Sequence, residues 1–157
     1  MKKQPVILII ILAVTLGFIW IHSMFPQDVS ANESNWVMSL VSPFLEIFVG
    51  KGNVTEHLVR KLAHFSEFAV LGCELAFLFR NAKCATASAG RAALWKVLPW
   101  AFLHALFVAV TDETIQIFSG RGPAITDVWI DVAGGMLGCV IVILIMFLSW
   151  KEELGEK

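Results

Sequence analysis

The chain has 157 residues and a formal net charge of -1, and 57% of its residues are hydrophobic. The charge balance implies no basic nucleic-acid-binding surface, and a mean hydropathy of +0.74 is too high for a soluble domain with interleaved charges. The apolar residues come in blocks, each near the length that crosses a ~30 Å hydrocarbon core. The expected fold class is therefore all-α, an integral membrane bundle of four transmembrane helices forming a single domain over residues 1–157.

The first span is expected at about residues 5–25, a stretch without Asp, Glu, Lys or Arg. Val29-Ser30-Ala31 resembles a signal-peptide cleavage site, but the apolar run exceeds the usual signal core, so a retained anchor is expected. In the following loop, Trp36, Val37, Leu40, Val41, Phe44, Leu45 and Phe48 recur at helical spacing. They predict a short amphipathic segment, interrupted or restarted at Pro43, that either lies on the membrane surface or caps the bundle. Gly50, Gly52 and Asn53 predict a turn, and Thr55 a helix cap. The second span is expected at about 56–79 and the third at about 94–118, with Pro99 near its start. A turn through Ser119-Gly120-Arg121-Gly122-Pro123 follows, and Thr126 is expected to cap a fourth span at about 127–150. The cysteines Cys73, Cys84 and Cys139 form no CxxC pair and suggest no disulfide framework.

With the N-terminus inside, Lys2, Lys3, Arg80, Lys83, Arg91, Lys96, Lys151 and Lys157 fall on the cytoplasmic side. Lys51 and Arg121 fall outside, and Arg60 and Lys61 mark the outer boundary. This excess predicts a multi-pass protein of the cell membrane with both termini cytoplasmic.

That topology gathers three polar groups at the outer mouth of the bundle. Arg60, Lys61, His64 and Glu67 open the second span; Asp112, Glu113 and Gln116 close the third; Arg121, Asp127 and Asp131 lead into the fourth. Arg60, His64 and Glu67 share one helix face, as do Asp112 with Gln116 and Asp127 with Asp131. Ionisable groups in a span are costly unless they pair or face a polar cavity, so the cluster is a candidate site. The bland readings are local. Asp127 complements a helix dipole, Arg60 and Lys61 snorkel to the interface, and the whole set forms a structural ion-pair network. Asp112 and Glu113 lie at a helix C-terminus, where a dipole role is disfavoured. Deeper in the spans, Glu74 and His104 either extend the polar path or, as expected here, satisfy each other. Gly134-x-x-x-Gly138 predicts close helix packing.

The ordered motifs RKLAHFSEFAVLG, TDETIQIFSGR and DVWIDVAGGMLG resemble the VanZ-like family, whose namesake is associated with low-level resistance to the lipoglycopeptide teicoplanin. The likeness runs from the first span to about Leu148, and the residues matching it are Lys61, His64, Glu67, Asp112, Glu113, Gln116, Arg121, Asp127, Asp131 and Gly135. It implies a small membrane protein of a Gram-positive type of envelope, without a mechanism. The leading functional expectation is recognition of an amphiphile, such as a lipid-linked or lipoglycopeptide ligand, at the outer interface of the bilayer. There Arg60, Lys61 and Arg121 would meet anionic head groups. The alternative is a membrane enzyme acting on a lipid-linked envelope precursor. In it His64 and Glu67 would serve as general acid or base, and Asp112, Glu113, Asp127 and Asp131 would hold Mg²⁺ or another hard cation. No nucleophile motif, HExxH or phosphate loop accompanies it.

Overall fold

The computed structural model describes residues 3–83, 95–120, 122 and 124–155. Among these the regular structure is wholly helical. The helices are α1 (Lys3–Ser23), α2 (Gln27–Val49), α3 (Glu56–Lys83), α4 (Leu98–Phe118) and α5 (Ile125–Gly155). Four are long and apolar enough to cross a membrane, over Val6–Ser23, Glu56–Arg80, Leu98–Phe118 and Ile125–Ser149. At a rise of ~1.5 Å per residue, each reaches roughly the thickness of a hydrocarbon core.

Several local expectations are met. Gly50 and Gly52 have φ of 87° and 77°, which the turn requires. Thr55 Oγ1 accepts the Leu58 N–H at 3.2 Å and so caps α3. Pro99 sits in the first turn of α4, where its missing N–H costs nothing.

Two expectations are corrected. The segment after the first span is neither short nor broken, because α2 runs for 23 residues straight through Pro43. Its Val37, Val41 and Leu45 side is half-buried, while Trp36, Leu40, Phe44, Ile47 and Phe48 are exposed. Thr126 does not cap α5 either; it lies inside the helix and its hydroxyl donates to Asp127 Oδ1 at 3.3 Å.

The spine of the fold is the crossing of α3 over α5. A Cβ added to Gly72 would meet the Gly135 carbonyl; one on Gly134, the Phe65 carbonyl; one on Gly138, the Ala69 carbonyl. In lipid, helices associate through packing rather than through hydrophobic burial, so residues without side chains at the crossing let the backbones touch. Around it Phe68, Leu71 and Leu75 of α3 pack with Val132, Cys139 and Ile143 of α5 and with Ala101 and Ala109 of α4. The first span is held more lightly. Only 11% of its residues are buried, against 33–39% in the others. It places Ile19 in the core and leaves most other apolar side chains facing outward.

Candidate functional site

The direction of each span decides what meets at its ends. Spans α1 and α4 finish at the end of the bundle where α3 and α5 begin, and α2 carries the chain across that same end. Polar residues placed late in α1 and α4 and early in α3 and α5 are thereby brought together.

Asp112 lies at the centre, with 0% of its surface exposed. Ser23, the last residue of α1, donates its hydroxyl to Asp112 Oδ1. Gln116 Nε2 donates to Asp112 Oδ2 at 2.8 Å, and His64 Nδ1 lies 3.9 Å from the same oxygen. Asp131 is 1% exposed, and its Oδ1 has no hydrogen-bond partner. One donor atom from each of His64, Asp112 and Asp131 lies within 4.8 Å of the other two. Lys61 Nζ pairs with Asp127 Oδ1 at 2.7 Å, tying α3 to α5. Glu113 Oε2 accepts the Ala124 N–H at 2.9 Å. Its carboxylate thus satisfies a backbone donor at the mouth of α5 and complements that helix dipole. Arg60 pairs with Glu56 at 3.1 Å and lies 3.2 Å from His57 Nδ1.

Among the described residues, two hollows open at this end. A cavity of about 20 Å³ is lined by Arg60, Lys61, His64, Glu113, Gln116, Asp127, Ile130 and Asp131. That is room for one water-sized occupant. A groove of about 830 Å³ runs between α1, α2 and α3, walled by Phe18, Ile21, Phe25, Trp36, Val37, Val59 and Ala63, with His22, Arg60 and Glu67 as its polar side chains. His22 Nδ1 lies 3.4 Å from Glu67 Oε1, and the His22 and His64 rings stack with centroids 6.0 Å apart.

A family model described as VanZ/LLP1 matches residues 7–147. The chain belongs to the VanZ/LLP1 family. No curated protein and no solved structure matches it. In this VanZ-like chain the three sequence motifs fall on α3, α4 and α5, and the structure draws nine of the ten expected site residues to one end of the bundle. Arg121 lies outside the described residues. Glu67 turns toward His22 and the groove, while Arg60 borders both hollows. The expected four-carboxylate cation set is not assembled. Asp127 is engaged by Lys61 and Glu113 by the Ala124 N–H, whereas His64 joins Asp112 and Asp131. Glu74 and His104 are not partners. Glu74 Oε1 accepts from Thr15 at 2.6 Å, and His104 contacts the Trp100 carbonyl at 2.8 Å and stacks edge-on with Phe79.

Sequence reasoning missed Thr15, His22 and Ser23, all on α1. The available signal was the His22-Ser23 pair closing a span otherwise free of hydrogen-bonding groups but for Thr15 and Trp20. These three side chains hold the loosely packed first helix against Glu74, Glu67 and Asp112.

Proposed function

We propose that this VanZ-like protein recognises an amphiphile at the outer leaflet of the cell membrane, with the apolar part in the α1–α2–α3 groove and the charged head beside Arg60, Lys61 and Arg121. The observation that carries this reading is the position of Arg60, whose side chain lines both the apolar groove and the polar cavity. A ligand lying across that residue meets hydrocarbon on one side and ionisable groups on the other. A buried tail gains ~0.8 kcal/mol per CH₂, but the bilayer offers a similar gain. Discrimination therefore rests on the head group, through charge-assisted hydrogen bonds at a fixed depth. The family resemblance suggests lipoglycopeptides such as teicoplanin as ligands of this kind.

The test is tolerance in a susceptible Gram-positive host. Expression should raise tolerance to teicoplanin more than to vancomycin, which has no lipid tail. Arg60→Glu, which reverses the charge offered to the head group, and Ala63→Trp, which fills the groove, should each remove that difference at unchanged membrane levels. Equal protection against both compounds, or a difference that survives both substitutions, refutes the reading.

A further inference from the structure

We infer that His64, Asp112 and Asp131 form a binding site for a divalent cation at the polar end of the bundle, independent of what occupies the groove.

Three observations converge on it. The first is geometric. Donor atoms from three residues on three helices already lie within 4.8 Å of one another. A tetrahedral ion with bonds of ~2.0–2.2 Å holds its donors ~3.4 Å apart, so the set needs to close by up to about 1.5 Å, a shift of side-chain scale.

The second is the state of Asp131. Its side chain is 1% exposed, it lines the small cavity that His64 also lines, and its Oδ1 accepts no hydrogen bond. A buried carboxylate oxygen without a donor is expensive. The described cations lining the cavity do not relieve it, because Lys61 is engaged by Asp127 and Arg60 by Glu56. A divalent ion balances the two carboxylates and leaves the imidazole neutral, as a ligand must be.

The third is the support around Asp112. Ser23 donates to one of its oxygens and Gln116 to the other, fixing the carboxylate while leaving further lone pairs on both. Orienting hydrogen bonds of this kind are the usual companions of metal-bound carboxylates. One imidazole with two carboxylates suits zinc or manganese better than magnesium or calcium, which favour all-oxygen sites.

The full chain, purified in detergent through a histidine-free tag, tests this. Elemental analysis and calorimetric titration with Zn²⁺ and Mn²⁺ after chelation should give about one ion per chain, because the three ligands enclose a single position. His64→Ala and Asp131→Asn should each lower the stoichiometry to background at unchanged helical content and elution volume. Glu74→Gln, a half-buried acid outside the site, should leave it intact and guards against a general effect of removing an acid within a span. Absence of binding in the wild-type chain overturns the proposal. So does retention of full stoichiometry in both site variants, or saturation by Mg²⁺ or Ca²⁺ with no response to Zn²⁺ and Mn²⁺. None of these outcomes bears on the groove, which the tolerance assay probes.

Discussion

Ser23 Oγ donates a hydrogen bond to Asp112 Oδ1, joining the last residue of the first span to a fully buried acid of the third. This bond ties a lightly packed helix to the polar centre of the fold. Hydrogen bonds to charged groups contribute ~1.5–3 kcal/mol. Ser23→Ala should therefore lower the thermal midpoint of the detergent-solubilised protein by several degrees, and Ser23→Thr should restore part of it. An unchanged midpoint for Ser23→Ala would show that α1 is held by other means.

The glycines at the helix crossing should be intolerant in proportion to what their missing side chains would meet. Overpacking typically costs ~1–3 kcal/mol, and a clash with backbone cannot be relieved by a rotamer change. Gly72→Leu and Gly138→Leu should abolish accumulation of folded protein in the membrane. Gly17→Leu should be harmless, since nothing lies within 4 Å of a Cβ there. Comparable folded yields for all three variants, read by size-exclusion profile, would contradict the packing.

Lys61 and Asp127 should behave as a pair. Their side chains are 25% and 30% exposed, so a coupling of ~1 kcal/mol is expected rather than the larger value of a buried pair. In a double-mutant cycle, Lys61→Met and Asp127→Asn together should cost less than the sum of the two alone. Strict additivity would mean that the pair contributes nothing.

Orientation is a further prediction, resting on the lysine and arginine distribution. Cysteines introduced at Lys51 and Gly122 should react with an impermeant reagent on intact cells, while Cys84 should not. The reverse pattern would move the polar end to the cytoplasmic face. The protein recovered from membranes should also retain its first helix, because Thr15, His22 and Ser23 on that helix meet Glu74, Glu67 and Asp112. An intact-mass measurement showing cleavage near Ala31 would refute this.

The spans were legible in the sequence because a membrane helix is marked by composition over some twenty residues, a signal that local detail cannot erase. The polar end was legible because Asp112 with Gln116, and His64 on the face of α3, stand out against an apolar background. Partner choice was not. The spacing of Glu74 and His104 suggested a pair, yet the rotation of each helix about its axis gives Glu74 to Thr15 and His104 to Phe79 and Trp100. Glu113 looked misplaced beside its own helix C-terminus because its partner, the Ala124 N–H, lies just before the next helix. Uncharged residues such as Ser23 carry no hydropathy signature, so their role shows only once the helices are packed. Gly72 likewise acquires meaning only opposite Gly135.

The glycine-lined crossing has a mechanical consequence. With α3 and α5 in backbone contact along Gly72, Gly134 and Gly138, these two helices form a rigid wall that cannot part without losing the contacts that define the fold. The opposite side is bounded by α1, fastened by Leu12, Leu16, Ile19 and Trp20 together with three polar side chains, and by α2, whose outer face is uncovered. Widening of the polar end would therefore cost least on the α1–α2 side. The groove lies on that side, so a molecule coming sideways from the lipid would meet it there, past a helix held by a narrow apolar stripe and three polar contacts.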